Sequence, residues 1–206
     1  MHRYRITFSK SGPTRYISHL DLAQVWERWF RRARIPVTYS QGFNPQPKIN
    51  LGSALPLGIE GENELLDVRL TEGTESERIV AQLQDHAPPG LIVKIVKGID
   101  RSEPSIQSQL LANEYLIEHA NDMDLVARIN DLLESADIIR HRRGKEYNLR
   151  PLIEEMSLDP TDNTLRMRLS ARPAATGRPD EVLDELGVDP RTVRIKRTRL
   201  VLADIS

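Results

Sequence analysis

A chain of 206 residues, 39% hydrophobic and 29% charged, is long enough for one large domain or two small ones with a real core, which excludes disorder throughout. Its 29 Lys and Arg against 30 Asp and Glu leave a formal net charge of -1, excluding a uniformly basic nucleic-acid coat and an acidic solvating tail. With no cysteine the chain supplies no disulfide, thiolate zinc site, iron–sulfur ligand or Cys nucleophile, and with no apolar run near the ~18 residues that span a bilayer and no signal-like start, a cytoplasmic protein without membrane contact is expected.

Arg3 to Phe8 alternate polar with apolar groups, the pattern of a half-buried strand. Ser18 followed by Asp21 makes a capping box, and Leu22, Val25, Trp26, Trp29, Phe30 and Ala33 recur at spacings of three and four, so a helix is expected over about 19–34. Pro36 to Tyr39 reads as a short strand. Ser40 to Asn50, with Gly42, Pro45 and Pro47, reads as an irregular loop. A strand over Leu65 to Leu70, a helix over Ser76 to Asp85 and a strand over Leu91 to Val96 complete a βαββαβ order, that of a ferredoxin-like sandwich.

Polar, turn-rich residues 99–108 read as a linker. Beyond it come a strand over Asn113 to Glu118, a helix over about 122–135, a strand at Ile138-Ile139 and a hairpin turning at Arg143-Gly144-Lys145. A strand over Leu165 to Leu169, a short helix over Pro179 to Leu186 and a strand over Thr192 to Leu202 follow. The expected class is therefore α+β: two tandem ferredoxin-like sandwiches, antiparallel sheets with helices on one face, over 1–98 and 109–206, the second carrying an extra hairpin.

Charge is segregated along this order. Residues 1–50 hold nine Lys or Arg against two acids, residues 51–136 six against sixteen, and residues 137–206 fourteen against twelve. Such asymmetry suits a binding face. Arg28, Arg31 and Arg32 share one side of the first helix, where their guanidiniums can hold phosphates or simply face solvent. Gln41, Phe43, Asn44, Gln46 and Lys48 stand in a stiff Gly/Pro loop that offers an aromatic to stack on a base, amides, and a cation. The same Phe43 could instead plug the core. Arg142, Arg143 and Lys145 sit around the second-half hairpin beside Tyr147, as an RNA or acidic-partner contact or as a solvated tip. Arg194, Lys196 and Thr198 read as one face of an edge strand.

Catalysis has thinner support. Ser18, His19 and Asp21 bring together the residue types of a hydrolase triad, but neighbours in sequence seldom align as one, and cap roles for Ser18 and Asp21 account for them. Glu60, Glu62, Glu64 and Asp67 read as a solvated acidic edge; no histidine pair has zinc-ligand spacing and no metal site is expected.

Three consecutive stretches, Arg15 to Asp21, Pro36 to Lys48 and Ala54 to Glu60, with a later Asn148-Leu149-Arg150-Pro151, resemble a bacterial family described as radical-SAM-linked (radical-SAM-associated) proteins of unknown function. The resemblance implies a radical-SAM protein as partner, with the iron–sulfur cluster and S-adenosylmethionine carried by that partner and no cofactor in this chain. Where the family commonly has a histidine between the two prolines, this chain has Gln46, which puts a proton-transfer or metal role there in doubt. Three functions follow: a noncatalytic accessory module that binds RNA or positions a substrate for the radical-SAM enzyme, through Arg15, the helix arginines, the Gly/Pro loop and the second hairpin; an RNA-processing or RNA-modifying enzyme using His19 with Arg15 and Lys48; or a purely protein-binding adaptor.

Overall fold

The computed structural model describes residues 2–118, 124–159 and 161–203, and the chain divides into two compact units, Met1–Leu110 and Leu111–Ser206. It is a mixed α+β protein with mostly antiparallel sheet. The elements are β1 (His2–Lys10), α1 (His19–Arg32), β2 (Ile49–Leu51), β3 (Glu60–Leu70), α2 (Ser76–Gln84), β4 (Leu91–Ile99) and α3 (Ile106–Gln109). They continue with β5 (Leu110–Glu118), α4 (Leu125–Glu134), β6 (Ile139–Arg142), β7 (Lys145–Asn148), β8 (Ile153–Asp159), β9 (Thr164–Arg172), β10 (Ala175–Thr176), α5 (Pro179–Glu185) and β11 (Arg194–Leu202).

In the first unit the strands run in the order β4-β1-β3-β2, each neighbour antiparallel. Alternation in β1 sends Tyr4, Ile6 and Phe8 to one side, where Leu66, Val68 and Leu70 of β3 and Leu91, Val93 and Val96 of β4 join them. Leu22, Trp26, Trp29 and Phe30 of α1 and Ile79 and Leu83 of α2 close over this face. The indole of Trp29 donates to the Leu83 carbonyl at 2.8 Å, fastening one helix to the other.

The other face of the same sheet carries ions. Asp67, 2% exposed, accepts from Arg3 at 2.6 Å and from Arg5 at 2.8 Å, and Arg5 also reaches Glu103 at 2.9 Å. Arg3 donates as well to the carbonyls of Glu103 and Pro104, and Gln107 to that of Leu51. Residues 99–108, expected as a free linker, are thus tied into the first unit, and part of them is helical.

One strand lies elsewhere than expected. Pro36 to Tyr39 touches β3 only through the single bridge Val37 to Leu70, and the strand is Ile49–Leu51, paired with Val68 to Leu66. The second unit has β11-β5-β9 in order, with β8 and β10 also paired to β9. Its buried apolar residues include Tyr115, Ile117, Leu125, Ile129, Leu165, Met167, Val182 and Leu183. The helix expected from 122 is α4; positions 122–123 lie outside the described residues. Strand β8 went unread because two glutamates interrupt its alternation, at the point where its register with β9 shifts between Ile153 and Glu155.

Removing Asp67 leaves two nearly buried guanidiniums without their shared carboxylate. Asp67→Ala is expected to cost about 3–5 kcal/mol, read as a lowered urea midpoint.

Candidate nucleic-acid interface

Helix α1 begins as its capping box predicts: the Ser18 hydroxyl accepts the Asp21 N–H at 3.1 Å and donates to the Asp21 carboxylate at 2.7 Å. Ser18 and Asp21 are thus engaged with each other at the helix start. At the far end the Ile35 N–H reaches the Phe30 carbonyl at 2.9 Å and the Arg34 N–H that of Arg31 at 3.2 Å, a Schellman closure. That closure places Arg34 in the left-handed region, φ 56, where glycine is the unstrained residue. With the apolar stripe committed to the core, Arg28, Arg31 and Arg32 face outward.

The following segment folds into an irregular hairpin. Thr38 accepts from Lys48 at 2.8 Å and Tyr39 bridges Pro47; Ser40 N–H donates to the Gln46 carbonyl at 2.8 Å while the Ser40 hydroxyl accepts from the Gln46 N–H at 2.9 Å. This bracing leaves Gln41 to Pro45 as the tip. Gly42, at φ 129, supplies the backbone conformation the tip needs. Phe43 stands clear of the protein at 113% relative exposure, so the core-plug reading is overturned. Gln41, Asn44 and Gln46 are exposed beside it, and Lys48 is half-buried at the stem.

The hairpin stem and the end of α1 meet at a cleft of about 280 Å³ lined by Glu27, Phe30, Arg31, Arg34, Ile35, Pro36, Val37 and Tyr39. Tyr39 donates to Glu27 at 3.1 Å. Burial and that hydrogen bond to an acid push the phenol above its ordinary pKa, against the opposing charge of Arg31. Among the described residues, Arg28, Arg31, Arg32, Arg34 and Lys48 have no carboxylate within ion-pair distance.

Arg15 is elsewhere. It stacks over the Tyr16 ring at 4.8 Å, donates to the Tyr16 hydroxyl at 2.8 Å, and lies 3.4 Å from Glu60; its carbonyl accepts from Gly58 at 2.9 Å. Two of the three motif stretches therefore meet at the start of α1, and the third meets the end of this 14-residue helix, about 20 Å away. Lys10, fully buried and donating to the Ile17 carbonyl at 3.1 Å, is a member of the first cluster that sequence reading missed. The acids of the expected cluster are dispersed, Glu60 to Arg15 and Asp67 to Arg3 and Arg5. Among the described residues no group of three or more His, Asp or Glu could hold a metal ion.

In the second unit the expected hairpin forms with a two-residue turn, Arg143 at φ 53 and Gly144 at φ 75, the backbone of a type I′ turn. Its charge, however, is largely consumed. Arg142 pairs with Glu181, stacks 4.6 Å from the Tyr147 ring and donates to the Thr176 carbonyl at 2.9 Å; Arg140 reaches Asp184 at 3.2 Å and Glu185. Only Arg143 and Lys145 of the predicted contacts remain exposed without an ion pair among the described residues. The fourth motif stretch is also inward: Leu149 is fully buried, the Asn148 side chain accepts from the N–H groups of Ile138 and Arg150, and Arg150 donates to the carbonyls of Leu133 and Ile153. On β11, Arg194 and Lys196 pair with Glu118 and Arg199 with Glu114.

The fold and site together define a class: an α+β protein whose first unit presents one uncompensated cationic end beside a free aromatic. By sequence the chain belongs to the bacterial family described as "Uncharacterized protein conserved in bacteria (DUF2344)", whose model matches residues 3–179. That description names no radical-SAM partner. No curated protein matches the chain. Among solved structures, the crystal structure of a proposed glycine cleavage system transcriptional repressor is 13% identical over 94% of each chain with a TM-score of 0.26, a likeness that carries no argument. No helix among the described residues is long and apolar enough to cross a membrane.

Two outcomes follow from this geometry. Arg34→Gly relieves the left-handed strain and is expected to raise stability by about 1 kcal/mol in thermal unfolding. Burial raises the pKa of the Glu181 carboxyl, but the hydrogen bonds from Arg142 and Tyr147 and the Arg142 charge outweigh it and hold the group below the ordinary 4.5. A depressed pKa gives stability that is full above the unfolded value and lost as pH falls through the folded one. Glu181→Gln is expected to flatten that part of the melting-temperature profile below pH 4.5.

Proposed function

We propose that the chain is a noncatalytic accessory module that binds RNA, and so positions a substrate, for a radical-SAM partner enzyme in the cytoplasm. The observation that carries this reading is that Arg28, Arg31, Arg32, Arg34 and Lys48 have no carboxylate partner among the described residues, with Arg31 and Arg34 lining one cleft at the foot of a hairpin that displays Phe43. Guanidiniums without carboxylate partners retain their full attraction for phosphate, and an exposed aromatic supplies the stacking surface that RNA readers use. The radical-SAM partner rests on the motif resemblance and on a cysteine-free sequence, which has no thiolate for a cluster and in this reading leaves it to the partner. The strand orders β4-β1-β3-β2 and β11-β5-β9-β8 support taking both units as ferredoxin-like sandwiches.

Charge reversal tests the reading. In Arg28→Glu/Arg31→Glu/Arg32→Glu protein that still folds, RNA affinity is expected to fall at least about tenfold, and the dependence of log K on log salt to become shallower. The RNA should be recovered chemically intact after incubation with wild type. Unchanged RNA affinity would sink the proposal, and a retained complex with a radical-SAM protein would then favour the adaptor.

A further inference from the structure

Resting on that reading, we infer that the RNA is bound single-stranded, with one base stacked on Phe43 and one phosphate seated between Arg31 and Arg34 in the cleft beside Tyr39.

The case for a single strand lies in the hairpin tip. A phenylalanine at 113% exposure makes no contribution to the core and costs solubility, so its placement is not explained by folding. The stem is locked by the Tyr39–Pro47 bridge, the paired Ser40–Gln46 hydrogen bonds and the Tyr39–Glu27 contact, which keep the ring projected and lower the ordering cost of capture. A duplex already stacks its bases on one another and offers the ring no face. An unpaired base does, and the exposed amides of Gln41, Asn44 and Gln46 can meet its edges.

The phosphate seat follows from strain. Glycine would close α1 at position 34 without penalty, yet an arginine is held there at φ 56, and it is one of the residues that line the cleft together with Arg31. A strained backbone position occupied by a cation at a cleft is a reason to look for a ligand of that cation. Glu27, the one acid in the cleft, is engaged by the Tyr39 hydroxyl. Phe43 is four residue steps beyond Tyr39, at most about 14 Å of chain, so seat and stacking platform fit inside a site of about four nucleotides.

Binding of a labelled single-stranded RNA and of a matched RNA duplex to wild type, Phe43→Ala, Phe43→Trp and Arg34→Gly tests this. Wild type is expected to prefer the single strand by about tenfold or more. Phe43→Ala should lose about tenfold on the single strand with its salt slope unchanged, because stacking releases no counterion. Phe43→Trp should restore affinity, and its exposed indole should be quenched by the single strand, against the buried Trp26 and Trp29 that do not reach the ligand. Arg34→Gly should melt higher yet bind more weakly, its slope smaller by about 0.7, one phosphate's worth. Equal affinity for duplex, or a silent Phe43→Ala in protein that binds RNA with a steep salt slope, overturns the single-strand inference and leaves the RNA-binding reading standing. No binding to either RNA removes both; loss of a protein complex on Phe43→Ala would then make the tip a protein contact.

Discussion

Everything the first unit displays depends on how α1 is pressed against its sheet. Trp26 stacks on Trp29 at 4.5 Å, meets Phe8 edge-on at 4.9 Å and lies 5.3 Å from Phe30. Aromatic packing of this kind is worth several kcal/mol for each large side chain buried, enough to set the rotation of the helix about its axis. The fold accepts a cost to keep it, since the Trp26 indole N–H is buried without a hydrogen-bond partner among the described residues. Once that stripe faces inward, positions 28, 31 and 32 have nowhere to go but outward, and the Schellman closure at Ala33 to Ile35 turns the chain so that the next segment returns beside them. The placing of Arg31 and Arg34 at the cleft is thus a consequence of hydrophobic geometry.

Both units pair part of their basic charge. In the second, the basic hairpin is answered by the acids of α5, and the cations of β11 by Glu114 and Glu118 of β5. Exposed pairs of this sort contribute little to stability, about 0–1 kcal/mol each. Their larger effect is electrical: a matched pair has almost no field beyond a Debye length. Arg28, Arg31, Arg32 and Arg34 at the end of α1 have no such answer among the described residues, so a total of -1 hides local positive charge there.

Local chemistry was readable in the sequence, and distant pairing was not. Ser18, Asp21 and the three-and-four spacing of α1 announce a helix because capping and amphipathicity are properties of neighbours. The Arg143-Gly144 turn is visible for the same reason. Strand β2 was misplaced because three residues cannot show alternation, while Pro36 to Tyr39 could; only β3, which pairs with Ile49 to Leu51, decides between them. The candidate site was partly readable: of the helix arginines, Arg31 lines the cleft at the end of α1 together with Tyr39, which leads into the Gly/Pro loop. Arg15 does not join them, and Arg142 is removed from the count by Glu181, 39 positions away, a partner that no local pattern could have shown. Phe43 could not be assigned to core or solvent until the hairpin bracing was known.

Strand β4 closes one side of the first unit, and its geometry has a bearing on handling the protein. Ile92 and Ile95 are 57% and 48% exposed along it, next to Lys94 and Lys97, and its pairing with β1 is disturbed by a register shift opposite Thr7 and Phe8. An apolar row on the last strand of a sheet is a template for another chain, and lysines and bulges are the usual defence. With so little net charge to hold copies apart in solution, the two ammonium groups on this strand gain weight as a local defence. Neutralising Lys94 and Lys97 would remove the charges that this strand sets against such pairing.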